Sequence, residues 1–208
     1  MVSKSTLAAV SALGAGAAAT GGVVGHKYFF QNKDSLLSKL QEKIKDAPHK
    51  KILTSKKDGI WNSWKEFYGA EATVPITGIS KDTLPQWCEE SLSGNDESKM
   101  DLVSKWCVVN TRSTREELKA GALELLDEDG GTKWEDAWDV YNAGKGDQGI
   151  VDSTFTSKNI TEKAKGGPAL KEWCVTYLSK KMYEFFEKGK SYEKLSKWCV
   201  KQKQSTTV

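Results

Sequence analysis

The sequence predicts an all-α protein: an N-terminal single membrane-spanning helix, then a helical domain built from two diverged modules. Three observations carry this expectation. Each of the four cysteines follows a tryptophan, at Trp87-Cys88, Trp106-Cys107, Trp173-Cys174 and Trp198-Cys199. An apolar residue stands three positions before each of these tryptophans, at Leu84, Val103, Leu170 and Leu195, which places both on one helix face. Strand-type alternation is nearly absent.

The repeat extends beyond the dipeptide. Leu84-x-x-Trp87-Cys88-x-x-x-Leu92-Ser93 matches Leu170-x-x-Trp173-Cys174-x-x-x-Leu178-Ser179, and Val103-Ser104-Lys105-Trp106-Cys107-Val108 matches Leu195-Ser196-Lys197-Trp198-Cys199-Val200. An aromatic segment precedes each half, with Ile60, Trp64 and Phe67 in one and Trp134, Trp138 and Tyr141 in the other. Both keep a spacing that puts three side chains on one helical stripe. Two modules follow, at about 58–112 and 131–203, within a helical domain spanning 58–208.

In each module the stripe carries Trp into the core and leaves Cys on the same face. Two such helices packed antiparallel bring their cysteines together. The duplication favours Cys88 with Cys107 and Cys174 with Cys199, among the three connectivities that four cysteines allow. Reduced cysteines acting as small core hydrophobes are the alternative. A zinc site lacks the close Cys pairs it ordinarily uses.

Taken from the start, residues 1–30 read as a membrane anchor or signal segment. The 21 residues from Ser5 to Gly25 carry no ionisable side chain. As a helix they would span about 30 Å, the thickness of a bilayer's hydrocarbon core. Tyr28, Phe29 and Phe30 follow, where an interfacial aromatic belt would lie. A cleaved signal, with Ala17-Ala18-Ala19 as its small-residue site, and a non-membrane Ala/Gly tail are the alternatives to an uncleaved span. Residues 31–57 form an amphipathic helix, with Leu36, Leu37, Leu40 and Ile44 on one stripe, and a basic linker. The linker's His49, Lys50, Lys51, Lys56 and Lys57 suit either anionic lipid or plain solvation.

A short aromatic helix then covers 59–70. Ser80 is positioned to cap the next helix, and Pro85 is tolerated in its first turn. Thr114-x-x-Glu117 and Thr132-x-x-Glu135 match capping boxes. The first opens a linking helix to about Glu128, and the second opens the aromatic helix of module two. Residues 144–167 read as a long loop, and Pro168 as the start of the longest helix, to about Lys188.

Charge is nearly balanced, with 31 basic and 28 acidic residues and a net charge of +3, so nothing points to nucleic acid. His26 and His49 are the only histidines, and neither sits in a catalytic context. Asp127, Glu128 and Asp129 cluster but lack calcium-loop spacing. No catalytic, cofactor or metal residue is expected. Trp87, Trp106, Trp173, Trp198, Trp64 and Trp138 read as structural aromatics rather than an aromatic ligand cage.

In its Ala/Gly-rich N-terminal segment beginning Met1-Val2-Ser3-Lys4, its Trp-rich helices and its Leu-x-x-Trp-Cys pairs, the chain resembles the uncharacterised paralogous membrane-associated proteins of haemotropic mycoplasmas. That resemblance implies membrane association, expansion into many divergent copies, and display on the surface of parasites attached to red cells. It supplies no catalytic residues. The function expected is that of a non-enzymatic, membrane-anchored surface protein, host-interacting or antigenically variable. Its partners would be the lipid bilayer, through residues 5–25, and a host surface component. The helical domain would face outside a single-pass anchor in the cell membrane. An intracellular, membrane-tethered helical scaffold with reduced cysteines is the alternative, and the charges flanking the span do not decide the topology.

Overall fold

The computed structural model describes residues 33–71, 75–130, 132–152, 155, 160–184 and 191–201. The expected span at 5–25 lies outside these residues. Among the described residues no helix is long and apolar enough to cross a membrane.

The described chain is mostly helical. The first half runs α1 (Leu36–Ile44), β1 (Lys50–Ile52), α2 (Trp61–Ala70), α3 (Leu84–Ser93), α4 (Met100–Trp106) and β2 (Val108–Asn110). The second half runs α5 (Thr114–Ala120), α6 (Trp134–Gly144), α7 (Lys163–Leu178) and α8 (Ser191–Trp198). Each half has its own apolar core. One gathers Leu36, Leu40, Leu53, Tyr68, Leu84 and Trp106 around Cys88 and Cys107. The other gathers Leu118, Leu125, Trp138, Tyr141, Leu170 and Trp198 around Cys174 and Cys199.

The duplication is deeper than the Trp-Cys pairs suggest. At the head of α1 the Leu36 N–H donates to Gly94 O at 2.8 Å, and at the head of α5 the Thr114 N–H donates to Lys180 O at 2.7 Å. Leu53 N–H donates to Cys107 O at 2.8 Å, and Leu126 N–H donates to Cys199 O at 2.9 Å. Ile52 pairs antiparallel with Val108, and Leu125 bridges Val200 in the same sense. Both modules therefore follow one plan: a leading helix, an extended segment, an aromatic helix, two disulfide-linked helices and a closing extended segment.

This plan moves the module limits. The leading helix α1 and Leu53, expected in a separate segment at 31–57, pack into the first core. Helix α5, expected as a linker, supplies Leu118 to the second core. Neither leading helix contains Trp or Cys, so the repeat was invisible there. The small ribbon of β1 and β2, with register Lys50↔Asn110 and Lys51↔Val109, was not expected. Three-residue strands are too short to show alternation.

Several boundaries also differ. The capping box lies one residue earlier than expected: Ser113 Oγ accepts from Glu116 N at 3.2 Å, and the Glu116 carboxylate accepts from Ser113 N. Ser113→Ala is expected to destabilise the chain by about 1 kcal/mol, read as a lower urea midpoint with unchanged slope. Helix α5 stops at Ala120 because Gly121 and Ala122, the latter at φ 58°, turn the chain so that Leu125 can meet Val200. The second expected box does not form, since α6 begins after Lys133 with no side-chain cap. Helix α7 starts at Lys163 and carries Pro168 within it. It ends at Leu178, well before Lys188, because the next residues turn along the segment that leads into α5: Lys181 bridges Ser113, and Met182 N–H donates to Arg112 O at 2.9 Å.

Candidate functional site

The four cysteines are fully buried and form two disulfides, Cys88–Cys107 and Cys174–Cys199. In both the Cα atoms stand 5.6 Å apart, within the ordinary range for an unforced bridge. Each bridge ties the third helix of a module to the fourth. Of the aromatic residues singled out from sequence, Trp106, Trp138, Trp173 and Trp198 are buried, while Trp64 and Trp87 are half-buried against the first core.

The core face of α2 is not the one expected. Trp61 and Tyr68 are buried, while Ile60, Trp64 and Phe67 lie at the edge of the core. Sequence spacing also misaligned the two aromatic helices by one residue. Tyr68 meets the Trp106 ring edge-on at 4.8 Å, and Tyr141 meets Trp198 edge-on at 5.2 Å. The two tyrosine hydroxyls hold the loops that follow: Tyr68 Oη donates to Ile79 O at 3.0 Å, and Tyr141 Oη accepts from Ile150 N at 2.9 Å. Tyr68 therefore corresponds to Tyr141. Counting back along each helix, Trp64 corresponds to Ala137, Lys65 to Trp138, and Phe67 to Val140.

That register exposes the main difference between the modules. In the first, the Trp64 indole lies over the fourth helix, donating from Nε1 to Trp106 O at 2.8 Å, with its ring 6.2 Å from Trp106 and 5.0 Å from Phe67. In the second, the large indole has moved one position around the helix. Trp138 points into the α6–α7 interface, where Gly166 leaves room for it. The vacated face holds Ala137 and Val140, and Val140 is 55% exposed.

A groove of about 370 Å³ opens there. Its floor is Leu126, Ala137, Val140, Trp198 and Val200. Lys133, Lys197 and Lys201 stand with Asp129 and Asp136 along it. The Lys197 ammonium lies 4.5 Å from the Trp198 ring centroid, as Lys105 lies 4.6 Å from Trp106. Lys201 bonds Glu124 at 3.0 Å and Asp129 at 3.2 Å, hydrogen bonds that raise its pKa. No sequence motif marks this groove. The signal available in the sequence was the replacement of Trp64 and Phe67 by Ala137 and Val140, readable only with the correct register.

Two other hollows are lined in part by groups already engaged. Near α7, Tyr177 Oη donates to Asp152 Oδ2 at 2.6 Å, in a cavity of about 340 Å³ that Trp173 also lines. Between the modules, Trp64, Lys50 and Met182 border a cleft of about 470 Å³, and Asn110 there donates to Glu117 at 2.8 Å.

The acidic run is an ion-pair network. Arg115 holds Asp127 and Glu128, Lys119 holds Glu128 at 3.1 Å, and Lys201 holds Asp129. The hydrogen bond to Asp127 is the main reason the Arg115 pKa is raised, and Lys119 followed by Arg115 holds the Glu128 carboxyl low. Among the described residues no cluster of His, Cys, Asp or Glu is arranged to hold a metal ion. The basic linker is partly paired as well: Lys51 bonds Asp58 at 2.7 Å, and Lys56 bonds Gln86 at 3.2 Å. Burial would raise the Asp58 pKa, but hydrogen bonds from Lys51 and the Ile60 N–H outweigh it and lower the pKa.

The chain matches no protein-family model, no curated protein and no solved structure.

Proposed function

We propose that the chain is a non-enzymatic, membrane-anchored surface protein, with residues 5–25 in the bilayer and the two helical modules outside the cell. The observation that carries this reading is the cross-linking of both cysteine pairs, each inside its own core. Structural disulfides persist in oxidising surroundings and are rare where thiol buffers keep cysteines reduced. The uncharged run from Ser5 to Gly25 supports the anchor. The resemblance to paralogous proteins of haemotropic mycoplasmas supports surface display, with host contact or antigenic variation as its use. The non-enzymatic part rests on the histidines. His26 and His49 are the only two, and neither stands in a sequence context that pairs it with a nucleophile or a carboxylate.

Thiol labelling tests the reading. Intact cells are treated with an impermeant maleimide before and after an impermeant reductant, then unfolded and counted by mass. Thiols that appear only after outside reduction are expected. Free thiols reached only after lysis would overturn the proposal and leave an intracellular tethered scaffold in its place.

A further inference from the structure

The cleft between the modules brings together apolar walls and unpaired cations. Leu40 and Ile44 of α1, Trp64, Val108 of β2 and Met182 form its walls. Its volume of about 470 Å³ lies within the range of about 300–1,000 Å³ usual for small-molecule sites. Lys43, Lys50 and Lys105 stand around it with one carboxylate, Glu117. That carboxylate is already held, by Asn110 at 2.8 Å and Arg112 at 3.2 Å. Lys105 is held as well, by Glu71 at 3.3 Å. The ammonium groups of Lys43 and Lys50 make no hydrogen bond or ion pair among the described residues, and Lys50 attracts Glu117 without bonding it.

A second observation comes from the duplication. Ser104 and Ser196 hold the same place in the two matching Ser-Lys-Trp-Cys-Val runs. Ser196 Oγ donates to Glu193 O at 2.8 Å and is satisfied within its own helix. Ser104 borders the cleft, and its Oγ is buried with no hydrogen-bond partner among the described residues. Leaving a hydroxyl buried and unpaired is costly, so this one marks a place for an acceptor that the chain itself does not supply. The hollow over Ala137 and Val140 differs on both counts, since Ser196 is satisfied and Lys201 is bonded to Glu124 and Asp129.

We propose that this cleft binds a long-chain fatty carboxylate. The acyl chain would lie along Leu40, Ile44, Val108 and Met182, where the walls are aliphatic and the flexible thioether adapts to the chain. Trp64 is the one aromatic residue among those lining the cleft, which favours a chain over a flat ring system that needs a second face to stack on. The carboxylate would take Lys43 and Lys50 as its cations and the Ser104 hydroxyl as its donor. This inference goes beyond the surface-protein reading and does not depend on which side of the membrane the modules face.

A palmitate analogue carrying a mid-chain diazirine is the probe. It is added to the full chain in phosphatidylcholine nanodiscs and irradiated, and the labelled residues are mapped by peptide mass. Labels are expected on α1, on β2 and beside Met182. Unlabelled palmitate should displace them at a concentration at least about tenfold below that needed with hexadecanol, which keeps the chain and lacks the charge. Lys43→Gln combined with Lys50→Gln, both at exposed positions where folding is not at risk, is expected to weaken labelling at these sites at least about tenfold. Ser104→Ala is expected to weaken it by a smaller factor without lowering the urea midpoint, because the hydroxyl it removes has no partner in the chain. Absence of labels in the modules overturns the proposal. So does equal displacement by palmitate and hexadecanol, or undiminished labelling of the double lysine variant. Stronger displacement by lysophosphatidate than by palmitate overturns the carboxylate assignment.

Discussion

Reducing both disulfides is expected to destabilise the chain by about 6 to 7 kcal/mol, enough to unfold much of it at 37 °C. The bridges close loops with sequence separations of 19 and 25, and chain-entropy reasoning assigns each about 3 kcal/mol. Domains of this kind hold a net stability of about 5–15 kcal/mol, so the two bridges are a large share of the total. Their position strengthens the expectation. All four cysteines are fully buried, so each core is packed around its bridge. Because the bridges lie in separate cores, their losses should be close to additive. The check is a urea titration of the wild type with and without reductant, beside Cys88→Ala/Cys107→Ala and Cys174→Ala/Cys199→Ala. Each double variant should lose roughly half the total. An unchanged midpoint under reductant would mean that the cores hold without their cross-links.

Gly166→Ala is expected to be the most damaging single substitution of a small residue, costing about 3 kcal/mol or more. A Cβ at Gly166 would lie 2.1 Å from Cδ2 of Trp138, an indole that is 2% exposed and has nowhere to retreat. The neighbouring Gly167 is constrained as well, though less tightly, since its Cβ would lie 2.8 Å from the backbone nitrogen of Glu135. Relief requires α6 and α7 to separate, which opens the core that Trp138 shares with Tyr141 and Phe155. Gly59→Ala is the control, because nothing lies within 4 Å of its Cβ. Both are measured by thermal melting. If Gly166→Ala melts with the wild type while Gly59→Ala does too, α6 and α7 are not in close contact in solution.

This close approach also accounts for the difference between the two modules. Moving the indole from the position of Trp64 to that of Trp138 requires a partner helix without side chains at the crossing. Gly166 and Gly167 provide one. In the first module the position matching Trp138 is Lys65, which reaches outward to Asp82 at 2.8 Å. The groove over Trp198 is the consequence on the opposite side of α6.

Helical class and disulfide partners are written in local terms. Leu three residues before Trp, with Cys beside it, defines a stripe that buries the sulfur whatever surrounds it, and the repetition of that stripe indicates which cysteines belong together. The core face of α2 is not written locally. Ile60, Trp64 and Phe67 make one helical stripe, and Trp61 and Tyr68, also seven residues apart, make another. An aromatic helix with apolar residues on several sides has no periodicity that selects one. The choice comes from Trp106, 38 residues beyond Tyr68 in sequence, whose ring takes Tyr68 edge-on. The leading helices α1 and α5 likewise carry ordinary amphipathic patterns, and only their docking onto α3 and α7 makes them the first elements of two equivalent modules. The start of α7 ahead of Pro168 was set the same way, because packing against Trp134 and Trp138 outweighs the poor helix propensity of two glycines and a proline. Periodicity reports what a segment can bury. Which of its faces is buried, and where the chain leaves a face uncovered, depends on contacts between residues far apart in sequence.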